Sequence, residues 1–187
     1  MSSGGSTDAR AAGGHAPARN EVAAAVELVG EADDLVSEAL KPGRWPQRRT
    51  VERFLEEDRL ERVLTLYGRA MRLDPDEPAY PWNLASALNR LGLNDLSLGF
   101  MTRAIHAAHR IGDEDWCGPD AYLALAEIAI DADEGDIALT ALARAQELGG
   151  EAVDREIVRL LREVRSASRE SRPETSLAGR LERLSAA

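Results

Sequence analysis

Val63-x6-Ala70 and Ser97-x6-Ala104 are one local pattern set 34 residues apart, with a large residue, Tyr67 or Met101, at the same offset in each. The pattern returns as Ala138-x3-Leu142-x2-Ala145, displaced by seven further residues. Small residues at fixed offsets with this period predict a helix–turn–helix solenoid. Such a unit cannot bury its own apolar face and has to stack on its neighbours. The expectation is a scaffold with a groove.

The chain of 187 residues has room for one domain plus tails. Ala, Leu, Glu and Arg dominate it, aromatics number only eight, and no alternating run of Val, Ile and Thr reads as a strand, so the expected class is all-α. A net charge of −10 argues against a general nucleic-acid binder, which needs a positive surface. Lys41 is the only lysine, which reads mainly as GC-rich coding, with selection for bidentate arginine contacts as the alternative. Cys117 is the sole cysteine, so no internal disulfide forms and a reducing compartment fits. Met1 to Arg19 has no apolar core and does not read as a signal peptide. No apolar stretch approaches the roughly 20 residues that span a bilayer. The expectation is a soluble cytoplasmic protein without a membrane partner.

Residues 1–18 read as a disordered tail. An N-terminal helix follows within 19–41, capped by Asn20 and stopped at Lys41-Pro42-Gly43. Its apolar stripe is Val22, Val26, Val29 and Val36 with Leu28, Leu35 and Leu40, opposite Glu21, Glu27, Glu31 and Asp34. That stripe has to be covered. Packing on the chain's own repeats, hence a monomer, is the expectation; a homodimer through this helix is the alternative. Three hairpins come next, with helices near Pro46–Glu57 and Arg59–Leu73, Pro78–Leu91 and Asp95–Arg110, then Asp120–Ala132 and Asp136–Leu148. Asp74-Pro75 and Gly149-Gly150 are stop signals. A last helix over 151–165, carrying Val153, Ile157, Leu160, Leu161 and Val164 on one face, reads as a cap for the stack. Residues 166–187 form a polar tail with a short amphipathic segment at Leu177, Leu181 and Leu184.

Residues 44–152 resemble three tetratricopeptide repeats, over 44–77, 78–111 and 119–152. Leu84, Ala85 and Leu88 stand where the family has Leu, Gly and a large aromatic, and Ser97, Met101 and Ala104 where it has Ala, Phe and Ala. The third copy supplies Tyr122, Leu125, Ala126 and Ala129, then Ala138, Leu142 and Ala145. The first copy is weak at its start (Gln47, Thr50, Val51, Phe54) and strong at its end, Ala70 to Pro75. The repeat-closing proline is replaced by His109 and Gly150 in the later copies.

The resemblance implies a concave wall built from the first helix of each hairpin. Its groove-facing residues would be Arg48, Glu52 and Glu56, then Trp82, Ser86, Asn89 and Arg90, then Leu123, Glu127, Ile130 and Asp131. Such a wall suits an extended or helical peptide, with an apolar side chain near Trp82 and basic groups toward Glu127 and Asp131. Trp82 is alternatively a core residue, since Pro81 occupies the place of the family tryptophan. Arg48 and Asn83 match the carboxylate clamp of some members, but Glu52, Asp120 and Ala124 hold its other places, so the clamp is not expected. The seven extra residues fall in the acidic loop Ile111–Pro119, whose Trp116 either contacts a partner or lies back on the repeats.

Chemistry has little to stand on. His106 and His109 are three apart on one helix, a spacing helices produce by geometry alone, and no metal is expected. Asp131 to Asp136 is a hairpin turn rather than a calcium loop, because Leu142 stands where the bidentate glutamate belongs. Cys117 has no histidine base at a telling spacing, and no phosphate-binding glycine loop is present. No cofactor or catalytic residue is expected. The leading reading is a non-enzymatic adaptor, scaffold or chaperone that holds a partner's peptide. The layout of an N-terminal helix plus three repeats also resembles the type III translocator chaperones, and a module of a larger bacterial complex fits equally. An enzyme or enzyme accessory using Cys117 or the His106/His109 pair is the alternative from another class.

Overall fold

Hydrophobic periodicity of 3.6 residues and the absence of strand patterning resolve into helices throughout. The computed structural model describes residues 17–39, Glu52, Phe54 and 58–170, and there is no strand among them. The elements are α1 (Arg19–Ala39), α2 (Arg59–Leu73), α3 (Ala79–Arg90), α4 (Asn94–Ile111), α5 (Pro119–Asp131), α6 (Gly135–Gly149), a 3-10 turn (Gly150–Val153) and α7 (Asp154–Glu170). Every expected helix within the described residues is present, with ends shifted by a residue or two, except at the last. There the expected start at 151 is corrected. Gly150 turns to φ 53 and a 3-10 turn intervenes, so α7 starts at Asp154, and it runs past the expected end at 165 to Glu170, into the stretch read as polar tail. The expected tail over 1–16, most of the helix near 46–57 with Arg48 and Glu56, Leu40, and the segment at Leu177, Leu181 and Leu184 lie outside the described residues.

The 34-residue register, with its step of 41 after the insertion, reappears in the backbone. Asp58, Gly92 and Asp133 stand at equivalent positions, and all three are left-handed, with φ of 53, 75 and 58. At Gly92 and Asp133 the next residue closes the same motif: Leu93 N–H donates to the Leu88 carbonyl (2.9 Å) and Glu134 N–H to the Ala129 carbonyl (2.8 Å). A left-handed residue that lets the following N–H reach back to an orphan carbonyl is how helices commonly end. Short polar aspartate tolerates this conformation better than other side chains do, which lets it replace glycine twice.

Burial follows the same register. Val63, Tyr67 and Ala70, then Ser97, Met101 and Ala104, then Ala138, Leu142 and Ala145 are all buried. So are Leu84, Ala85 and Leu88, and their counterparts Leu125, Ala126 and Ala129. The small residues let helices approach: α3 packs extensively on α4, and α5 on α6. One core cluster joins α1, α2 and one side of α3, with Phe54 inserted; a second joins Ala85 on the other side of α3 to α4, α5, α6 and α7. At Gly149 an added Cβ would come within 2.7 Å of the Val153 side chain and 3.0 Å of Pro119 Cβ, so the end of α6 meets the start of α5 without room for a methyl.

Two details of the N-terminal helix differ from expectation. Asn20 does not cap it; the helix begins at Arg19, and the Glu21 carboxylate accepts from Ala18 N–H at 2.7 Å. A carboxylate in the first turn reaching back to an N–H is one half of a capping box. Val26 points outward, and the covered stripe is Ala25, Val29, Ala32 and Val36. This stripe packs along α2, and polar pairs fasten the two helices: Glu38 with Arg59 (2.7 Å), Glu31 with Arg62, and Asp33 with the Tyr67 hydroxyl. Glu38 meets the start of α2 and Asp33, further back, meets its middle, so the helices run in opposite directions.

At the other end α7 lies on α5 and α6 through Ile157, Leu160 and Val164, with Val153 of the 3-10 turn beside them. It therefore covers the apolar side of the last pair. No helix among the described residues is long and apolar enough to cross a membrane.

Candidate functional site

Once the buried positions of α3 and α5 are subtracted, equivalent positions remain on each helix. Trp82, Ser86, Asn89 and Arg90 on α3 correspond to Leu123, Glu127, Ile130 and Asp131 on α5. Arg90, Glu127 and Asp131 are exposed, and the other five are half-buried. Asn89 Nδ2 donates to Asp131 Oδ2 across 3.1 Å, and Asn94 Nδ2 donates to the Asp131 carbonyl across 2.6 Å. One helix further on, Glu127 pairs with Arg159 of α7, which also holds Glu156 and Glu163. These links place α3, α5 and α7 side by side, with the Asn89, Asp131, Glu127 and Arg159 side chains joining them. Glu52 is helical and exposed.

The same links change the chemistry of the acidic end. Glu127 already has a cation, and Asp131 already accepts an amide. They are therefore partly spent on holding helices together, a use that no local pattern announces. Asn89 Oδ1, in turn, is buried without a hydrogen-bond partner among the described residues.

At the other end of this surface the acidic loop folds back. Trp116 packs edge-on against Trp82, with ring centres 5.4 Å apart and planes at 81°. Edge-to-face packing at this separation is the favoured geometry for two aromatic rings. Asp113 Oδ1 accepts from the N–H groups of Asp115 (3.1 Å) and Trp116 (3.4 Å), and Cys117 Sγ lies 3.0 Å from the Asp113 carbonyl oxygen. The loop is thus held by its own first carboxylate. Trp82 and Trp116 share one half-buried aromatic patch, an arrangement between the core and contact readings of either ring.

Of the groups considered for chemistry, His106 and His109 are both exposed on α4. His109 Nε2 lies 2.8 Å from the Tyr122 hydroxyl of α5, a link between helices. Cys117 and His109 do share the lining of a cleft of about 540 Å³ with Glu114 and Leu148. Within it the thiol is engaged by the Asp113 carbonyl and the imidazole by Tyr122. No group of three or more His, Cys, Asp or Glu among the described residues could hold a metal ion. Asp131 to Asp136 is the α5–α6 turn. A second cleft, of about 400 Å³, lies between α5 and α6 beside Tyr122, Ile137 and Arg144, and a third, of about 380 Å³, lies between the two hairpin turns beside Leu96 and Asp131. None of the three is lined by Trp82, Ser86, Asn89, Arg90, Leu123 or Glu127.

Fold and surface together define an all-helical protein of packed helix pairs, with a polar and aromatic face along α3, α5 and α7. No protein-family model matches the chain, and no curated protein is significantly similar to it.

Proposed function

We propose that this chain is a non-enzymatic protein-interaction module of tetratricopeptide type, holding a peptide segment of a partner along α3 and α5. The observation that carries the reading is the shared register of Asp58, Gly92 and Asp133 at the turns, with equivalent buried positions in each pair. That register turns the same unburied positions of successive helices toward one side. A peptide laid there meets half-buried Trp82, Ser86 and Leu123, with Arg90 exposed beside them. Half-buried aromatics in a polar surround are the usual centre of binding energy in an interface.

The test is affinity capture from the source cell with the full chain as bait, read by mass spectrometry. Ser86→Arg combined with Leu123→Arg fills the face with bulk and charge, while Leu139→Arg alters an exposed leucine on α6. Loss of the same partners with the first variant and retention with the second is the expected result. The reverse outcome removes the groove reading and moves recognition to the outer helices.

A further inference from the structure

From Ile111 to Ala143 the chain holds nine carboxylates and no lysine, arginine or histidine. Glu127 is paired with Arg159, Asp131 accepts from Asn89, and Asp113 caps backbone N–H groups of its own loop. Glu114, Asp115 and Asp120 are exposed and form no ion pair among the described residues. They flank Trp116 in sequence, and Trp116 stands at 81° to Trp82. Both indoles are half-buried, and neither N–H donates to another described residue. Two indole planes near a right angle, one edge-on to the other, with carboxylates that form no ion pair among the described residues on the segment that carries Trp116, have the chemistry of a cation receptor. A cation over a tryptophan face is attracted by the ring quadrupole. A guanidinium adds planar stacking and a fork of donors for carboxylates, which an ammonium lacks.

We infer that the Trp82–Trp116 corner receives an arginine side chain from a basic segment of a partner protein, with Glu114, Asp115 and Asp120 supplying the complementary charge. The inference rests on the groove reading above and names the partner's chemistry. It also moves the basic-partner determinants away from Glu127 and Asp131, which the fold has already engaged.

A random peptide library selected on the immobilised full-length chain at physiological salt tests both levels. Enriched peptides are expected to carry arginine, and replacing that arginine by citrulline, which keeps the shape and removes the charge, is expected to abolish binding. Trp116→Ala is expected to weaken binding roughly tenfold, and Trp116→Phe, which keeps the ring packing with a weaker quadrupole, by less. Removing the nearby charges together (Glu114→Gln, Asp115→Asn, Asp120→Asn) is expected to match the alanine variant. Removing the same charge elsewhere (Glu134→Gln, Asp136→Asn, Glu151→Gln) is expected to cost less than about threefold, because exposed charges are screened beyond about 8 Å at this salt. Melting curves establish that each variant is folded.

Equal losses from the two charge-removal sets would mean diffuse attraction and would overturn the corner. Peptides without basic residues that still depend on Ser86 and Leu123 would leave the groove standing and remove the corner alone. Peptides indifferent to Ser86→Arg, Leu123→Arg and Trp116→Ala, or no enrichment at all, would remove both.

Discussion

The Ser97 hydroxyl donates a 2.7 Å hydrogen bond to the backbone carbonyl of Ala85, and both residues are fully buried. Ser97 holds the place taken by Val63 in the copy before it and Ala138 in the copy after it. A hydroxyl is accommodated there because its donor reaches a carbonyl of the facing helix, binding α4 to α3. Ser97→Ala is expected to lower stability by about 0.5–1.5 kcal/mol, the usual net value of one hydrogen bond. Chemical denaturation reads this directly, and an unchanged midpoint would show that the bond contributes nothing.

Ala104 and Ala145 are fully buried at equivalent positions, in α4 and α6. Either one replaced by Leu is expected to cost about 1–3 kcal/mol through forced displacement of the facing helix. Ala143 lies exposed on the same helix as Ala145, and its replacement by Leu is expected to stay within about 0.5 kcal/mol. Equal tolerance at all three sites would contradict the close approach described for these helices.

Tyr67 is fully buried, and its hydroxyl meets Asp33 of α1. Burial, then the hydrogen bond and the charge of Asp33, push the phenol well above its ordinary value. Tyr80 is raised too, by burial and then by Asp74 and Glu77. A raised acid keeps its proton in the fold, so the associated stability is complete below the unfolded value of about 10 and is lost as pH climbs past it. Alkaline titration of the melting temperature is expected to fall above about pH 10, and Tyr67→Phe to flatten that fall. A slope unchanged by Tyr67→Phe would assign the alkaline loss to other groups.

Leu160 of α7 is fully buried against α5 and α6, whereas Arg159 beside it is largely exposed with three glutamates. Exposed ion pairs are screened and contribute little, so Arg159→Met is expected to cost less than about 1 kcal/mol, and less still at high salt. Leu160→Ala is expected to cost about 2–5 kcal/mol by opening a cavity in the interface. Comparing the two by thermal unfolding shows which force holds α7 in place; a larger loss for Arg159→Met would reverse the account.

Gly92 and Asp133 end their helices in the same left-handed turn. Gly92→Ala is expected to destabilise by about 1 kcal/mol because a Cβ is strained at that φ. Gly92→Asn is expected to cost less, as asparagine tolerates the conformation. Identical melting for the two variants would mean that the turn relaxes without strain.

The positions that local rules govern were legible from the chain alone. Apolar spacing set the helices from Arg59 to Gly149 to within a residue or two, and the small residues of the repeat marked buried sites at Ala70, Ala104 and Ala145. On α1 the expected stripe held at Val29 and Val36 and failed at Val26, while Ala25 and Ala32 were missed because they carry too little hydrophobicity to show in a pattern, yet they fit where α2 comes close. The turn at Asp133 was legible, but its left-handed backbone and that of Asp58 were not, because aspartate, unlike glycine, does not advertise that conformation.

Helix lengths, turn positions and the buried register therefore belong to the sequence by itself, since each follows from period and from backbone preferences that act within a few residues. Tertiary structure alone decided that Glu127 meets Arg159, that Asn89 meets Asp131, that Tyr67 meets Asp33 and that Trp116 turns back onto Trp82. These pairs join residues 32 to 42 apart in the chain. Their formation depends on how whole helices lie against one another, and that is settled by the sum of buried apolar contacts across the stack, a quantity no local stretch of sequence carries.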